Sequence, residues 1–366
     1  MKVPLLDLSA QYLEIMPEIK LEIDKVLAQH QYILGPAVQE FEKTIQNYLQ
    51  VQHAIGCASG TDALQLSLMA LDISNGDEVI TTPFTFFATA SAIHRVGAKP
   101  VFVDIDERTF NINPDLIEKA ITDKTKAIIP VHLFGQPADM SKILFIAQKY
   151  KLYVIEDNAQ GIGAKYQHQY AGTLGDIGTL SFFPSKNLGA MGDGGMCLTN
   201  NDNLAQKLRQ LRVHGENPKY FHQWVGLNSR LDSLQAAVLK VKLSYLAKWS
   251  EGRRQNALLY QQLLGSFDKI KLPYISTAVT TIYNQYTIIC PMRDELMTYL
   301  QNNGIGCAIY YPRSLHLQEC FAFLGGKEGD CPISEMTSKS ALSLPIYGEL
   351  VPEQIAYVSQ KIREFY

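Results

Sequence analysis

Lys186 stands inside the stretch GTLSFFPSKNLGAMGDGG (178–195), between an apolar run at Thr179–Phe183 and a cluster of glycines, Gly189, Gly192, Gly194 and Gly195. Pro184 cannot donate to a ladder and so ends that run as a strand. The glycines permit backbone angles and close approaches that other residues resist. A lysine on such a turn can direct its amine into a cleft. Amines there form Schiff bases with carbonyl compounds, and pyridoxal phosphate is the usual partner. A carboxylate, Asp157 in VIEDNAQGIGA (154–164), lies 29 residues earlier, which leaves room for a loop and one more strand. The two can then occupy neighbouring strands and face one ligand. A carboxylate at a strand end is suited to keeping a pyridine nitrogen protonated, and that charge makes the ring an electron sink.

Other groups fall where the same cleft could collect them. SGTDAL (59–64) places small residues at a helix start, where free N–H groups and the helix dipole favour a phosphate. In TPFTFFATA (82–90), Phe86 or Phe87 can stack on an aromatic ring. Gln160 follows Asp157 by three positions, and the Ser181 hydroxyl lies five residues before Lys186 on the same run. Asn228, Ser229 and Arg230 open a further helix and could meet an anion, in this subunit or in a partner. His316 lies among aromatics in YYPRSLHLQ (310–318).

These residues need a frame. From His53 to Thr199, apolar strands of four to seven residues alternate with helices, the pattern of a mostly parallel sheet buried on both faces. Right-handed crossovers place the strands' carboxyl ends along one edge, where ligands of such sheets bind. Residues 14–50 read as helical with a break at Ile33–Pro36. A long helix is expected from Leu231 to about Leu264, then a β-like stretch near Tyr286–Pro291, a helix over Asp294–Asn302, and amphipathic runs near Ser334–Leu342 and Pro352–Phe365. The expected division is a large α/β domain over 1–245 and a smaller α+β domain over 246–366.

The bulk composition excludes several classes. The net charge of −3 leaves no electrostatic footprint for nucleic acid or an anionic membrane. The six cysteines form no CxxC pair and, with the eight histidines, no metal-like spacing. No apolar run approaches the ~20 residues of a membrane helix. A cytoplasmic protein with reduced thiols is expected.

In their order, GTDAL, TPFTFFATA, EDNAQ, SFFPSKNLGAMGDGG, RVHG, GLNSRLDSLQAAVL and YYPRSLHLQ resemble the motifs of the DegT/DnrJ/EryC1/StrS family, nucleotide-sugar aminotransferases of pyridoxal phosphate fold type I. The resemblance covers essentially the whole chain and implies a seven-stranded, mostly parallel sheet with a smaller α+β C-terminal domain. It implies that Lys186 carries the cofactor, that Asp157 pairs with the ring nitrogen, that Gln160 contacts the ring hydroxyl and that Phe86 stacks on the ring. It further implies phosphate contacts from Gly60, Thr61, Asp62 and Ser181, with Asn228 reaching in from the second subunit of a homodimer. Tyr311, His316 and Arg230 are the candidates for substrate contact. The implied reaction moves an amino group from L-glutamate to a keto group of a nucleotide-linked sugar, with a dTDP-3-keto-6-deoxyhexose expected and a UDP-4-keto sugar as the alternative. Some members carry histidine in place of the lysine and are dehydratases; the lysine here points away from that branch. Two departures stand out: Asn158, where alanine or cysteine is common, and Met191, where an aromatic is frequent.

Overall fold

The computed structural model describes all 366 residues. Helices α1 (Ser9–Gln29) and α2 (Pro36–Leu49) lead to β1 (His53–Cys57). Then α3 (Gly60–Ala70), β2 (Glu78–Thr81), α4 (Ala88–Arg95), β3 (Lys99–Phe102), α5 (Pro114–Ala120), β4 (Thr125–Ile129), α6 (Met140–Tyr150) and β5 (Tyr153–Asp157) alternate. A short hairpin, β6 (Lys165–Tyr166) and β7 (Gln169–Tyr170), precedes β8 (Ile177–Ser181), β9 (Gly195–Thr199) and α7 (Asp202–Leu211). The remainder is α8 (Ser233–Leu264), β10 (Val279–Thr280), β11 (Tyr286–Ile289), α9 (Arg293–Asn302), α10 (Pro332–Ser340), β12 (Ala341–Leu344) and α11 (Pro352–Phe365).

Helix starts are written locally. Ser59, Asn113, Asp139 and Asn201 each accept a first-turn N–H at the caps of α3, α5, α6 and α7, each cap contributing about 1 kcal/mol. Prolines open α2, α5, α10 and α11, at a position where the missing N–H costs nothing.

Seven strands form the main sheet in the order β1-β9-β8-β5-β4-β2-β3. The pairs from β8 through β5, β4 and β2 to β3 are parallel, whereas β9 runs antiparallel to both β1 and β8. The Lys186 turn carries the chain from Ser181 back to Gly195 without a crossover helix, and β9 returns antiparallel. The carboxyl ends of β1, β2, β5 and β8 therefore share one edge, and Ser59, Pro83, Asn158 and Phe182 leave from it.

Helix α8 joins two cores. Leu239, Leu243 and Leu246 pack with Phe41 of α2, Phe182 just past β8 and Leu198 of β9, while Ala257, Tyr260 and Leu264 pack with Tyr286, Leu342 and Ile355 of the C-terminal region. The second core also takes in Val3, which forms a parallel bridge to Ile305. The run at Ser334–Leu342 divides: its first part is α10 and its end enters β12, the partner of β11. Asp104, leaving β3, accepts the N–H groups of Ile333 and Ser334, both at 2.9 Å, and so ties the first turn of α10 to the main sheet.

Candidate active site

Lys186 and Asp157 face each other across the edge between β5 and β8. Asp157 ends β5, in register with Thr179 of β8, and Lys186 sits in the turn that follows β8, its N–H donating to the Phe183 carbonyl at 2.8 Å. Burial lowers the Lys186 amine to about 8, while the Asp157 carboxylate pulls it back up. Burial likewise pushes the Asp157 carboxyl above its ordinary range, against the Thr89 hydroxyl, the Ala159 N–H, Lys186 and His132, which all pull it down. An amine so placed spends a substantial fraction of its time neutral near physiological pH, which a nucleophile or proton carrier requires.

Glu156, the neighbour of Asp157, points to the opposite face, as alternation along a strand demands. It is fully buried and accepts from His132 Nε2 at 2.8 Å and from the N–H groups of Gly172, Leu174 and Gly175. Because the Ala138 N–H donates to His132 Nδ1, the imidazole proton resides on Nε2. Burial pushes the Glu156 carboxyl up, but His132 and the glycine N–H donors outweigh that and hold it below its ordinary range. These bonds fix the end of β5 from beneath.

Gln160 has its amide held at both ends. Its Oε1 accepts the Phe134 N–H at 2.7 Å and its Nε2 donates to the Tyr311 hydroxyl at 3.1 Å. The Tyr311 ring lies 6.3 Å from that of Phe86, whereas Phe87 turns away to pack on Phe321 at 5.6 Å. Geometry thus selects Phe86 as the cleft aromatic, and it is left 57% exposed.

At the start of α3, the side chain of Ser59 takes the Asp62 N–H, while the N–H groups of Gly60 and Thr61 fall in the first turn, where no helical acceptor exists. A Cβ on Gly60 would lie 2.7 Å from the Cβ of Ser181, so only glycine lets β8 approach this closely. Ser229 ties the cradle to the loop before α8, accepting the Ala58 N–H at 3.1 Å and donating to Asp62 Oδ2 at 2.7 Å. Behind it, Glu42 and Arg212 form a buried pair at 2.6 Å that also holds both polar backbone groups of Gly56 in β1.

The DegT/DnrJ/EryC1/StrS aminotransferase family model matches residues 14–363. The chain belongs to that family. It is 53% identical to a pleiotropic regulatory protein of Geobacillus stearothermophilus, over 100% of this chain and 99% of the relative. It is 47% identical to a UDP-N-acetyl-3-dehydro-alpha-D-glucosamine 3-aminotransferase of Acidithiobacillus ferrooxidans, over 99% and 97%. The crystal structure of S. venezuelae DesV in complex with a ketimine intermediate superposes with a TM-score of 0.97 at 40% identity, covering 100% of this chain and 98% of that one.

As a member of the DegT/DnrJ/EryC1/StrS family the protein is an aminotransferase that uses pyridoxal phosphate. The residues present fit that cofactor: an amine of lowered proton affinity, a buried carboxylate across from it, an exposed aromatic face, and a cradle of free N–H groups beside a serine that tolerates no side chain at Gly60. No cluster of His, Cys, Asp or Glu could hold a metal ion, and no helix is long and apolar enough to cross a membrane.

The structure brings Lys186, Asp157, Gln160, Phe86 and Tyr311 together on one side and Gly60, Thr61, Asp62 and Ser181 on the other. Asn228 is exposed, bridged to Val213 by its backbone. Arg230 is half-buried just before α8. His316 does not join the cleft group. It is buried, with Nε2 paired to Glu335 at 3.0 Å and its ring against Phe102. These contacts seat the 316–335 segment. Asn158 is buried too, donating to the Ala171 carbonyl at 2.7 Å in a space open only because residues 161 and 172 are glycines. Met191 is exposed. Sequence reasoning missed Thr89, His132 and the Glu42–Arg212 pair. All lie within or beside quoted motifs except Glu42 and His132, which carry no local signal.

Proposed function

We propose that the protein transfers the amino group of L-glutamate to the 3-keto carbon of a nucleotide-linked hexose, in the cytoplasm, as a homodimer whose clefts each draw Asn228 from the other subunit. The observation that carries this reading is the Lys186 amine set opposite the Asp157 carboxylate at the edge of the sheet, where burial lowers its proton affinity. When bound, pyridoxal phosphate supplies the electron sink. Lys186 would hold the cofactor and, as a neutral amine, would take the proton from the amino donor's α-carbon and later return one at its Nζ. Asp157 would keep the ring nitrogen charged, Gln160 would hold the ring hydroxyl, Phe86 would cover the ring, and Gly60, Thr61, Asp62 and Ser181 would receive the phosphate. Tyr311 and Arg230 are read as contacts to the sugar or its phosphates.

Residues 1–245 are read as the cofactor-holding unit and 246–366 as the smaller unit, with the switch of α8 from one core to the other in support. For the dimer, support comes from the arm before Asn228, where Tyr220, Phe221 and Val225 are 76%, 69% and 92% exposed; apolar surface of that kind is normally covered. The motif wording favours a dTDP-3-keto-6-deoxyhexose. A UDP-linked 3-keto sugar is the second reading, favoured by the relative at 47% identity whose name specifies one.

The test is spectroscopic. L-Glutamate added to the loaded enzyme should convert bound cofactor from its aldehyde to its amine form, and a matching 3-keto nucleotide sugar should reverse the change. Comparing the dTDP and UDP sugars separates the two readings. A spectrum unmoved by glutamate or any other amino donor rejects transamination.

A further inference from the structure

The inference below rests on the reading of Asp157 as partner of the cofactor ring nitrogen. That carboxylate is buried, which disfavours its charged form, yet its task needs it ionised and held at one angle. Its charged and titratable neighbours are the Lys186 amine, the His132 imidazole and the Tyr311 hydroxyl, while Glu156 faces the other way. Its hydrogen bonds come from elsewhere. The Ala159 N–H donates to Oδ1 at 3.2 Å, and the hydroxyl of Thr89, fully buried in the first turn of α4, donates to Oδ2 at 2.7 Å.

Thr89 Oγ1 also lies 3.1 Å from Thr85 Oγ1 and 3.2 Å from the Phe86 carbonyl oxygen. One hydroxyl has one proton, and the charged carboxylate is both the nearest and the strongest of these acceptors. The Thr85 hydroxyl, also buried, then donates to Thr89. Through its backbone, Thr89 makes a second attachment: its N–H donates to the Phe86 carbonyl at 3.2 Å. We propose that Thr89 is a positioning residue, its hydroxyl locking the Asp157 carboxylate and its N–H locking the Phe86 turn, so that the ring-nitrogen acid and the stacking aromatic are set as one unit. Thr85 is the donor behind it. A threonine serves where valine would fill the same space because only the hydroxyl carries this bond.

Thr89→Val keeps the shape and removes the donor. In cofactor-free protein labelled with ¹³C at aspartate side chains, the signal lost in Asp157→Asn identifies Asp157. Its titration midpoint should rise by about one pH unit in Thr89→Val, the size of a lost hydrogen bond to a charged group, and Thr89→Ser should restore it. Affinity for pyridoxal phosphate should fall about threefold in Thr89→Val at a pH midway between the two midpoints, where roughly three quarters of the wild-type carboxylates but only a quarter of the variant's are ionised. Thr85→Val should move the midpoint the same way by less. A Thr89→Val protein that melts as the wild type does and titrates at the wild-type midpoint overturns the proposal. Should Thr89→Val not fold, an unmoved midpoint in Thr85→Val overturns it instead. The titration needs no cofactor: wild-type protein that takes up no pyridoxal phosphate would sink the proposed function and leave the Thr89 result standing.

Discussion

Replacing Lys186 by methionine should make the cofactor-free protein more stable at neutral pH. The amine is protonated in the unfolded chain up to its ordinary 10.5 but only up to about 8 in the fold. Each tenfold loss of proton affinity corresponds to ~1.4 kcal/mol, so holding the ammonium in the folded cleft at pH 7 costs about 3 kcal/mol, and about 2 once its partial exposure to water is allowed for. The attraction of Asp157 is already contained in that figure. The sign follows from linkage: between pH 8 and 10.5 the unfolded chain binds the extra proton, so wild-type stability rises with pH across that window. The gain from Lys186→Met is therefore largest below pH 8, falls to about half by pH 9.5 and vanishes above 10.5. Urea unfolding of cofactor-free wild type and variant at pH 7 and 9.5 reads both quantities. A variant no more stable than wild type at pH 7, or a gain equal at the two pH values, would refute the claim that the cleft depresses this amine.

Two further outcomes test other parts of the site. Gly60→Ala introduces a methyl 2.7 Å from the Cβ of Ser181; it should weaken binding of pyridoxal phosphate at least tenfold while leaving binding of pyridoxal, which lacks the phosphate, nearly unchanged, as measured by equilibrium dialysis. His316→Ala should lower unfolding free energy by about 2–3 kcal/mol, since it leaves Glu335 without its buried partner and opens a space against Phe102. Its KM for the sugar should stay within twofold of wild type if the role is structural, and a tenfold rise would place His316 at the substrate site.

Much of the frame was legible because its signals are local. Short apolar strands, capping residues and N1 prolines declare themselves within a few positions, and the motifs around Lys186, Asp157 and Gly60 fall on strand ends where ligands gather. The direction of β9 was not legible: Gly195–Thr199 has the same apolar pattern whichever way it runs, and only pairing with both β1 and β8 settles it. The partner of His316 was not legible: aromatic neighbours suit a pocket and a packed seam equally, and Glu335 lies 19 residues away. Thr89 was invisible for a related reason. It sits in a motif noticed for its phenylalanines, and its value depends on a carboxylate 68 positions downstream. Glu42 and Arg212, 170 residues apart, are beyond any periodicity.

The bridge between Val3 and Ile305 has a consequence for how the chain is made. During synthesis the first residues leave the ribosome long before their partner exists, and about 300 more must be added first. The main sheet, complete by Thr199, is free to assemble while the nascent tail ahead of α1 is still unpaired. The bridge is then a clasp: residues made early close over residues made about 300 positions later, on a sheet that can already stand.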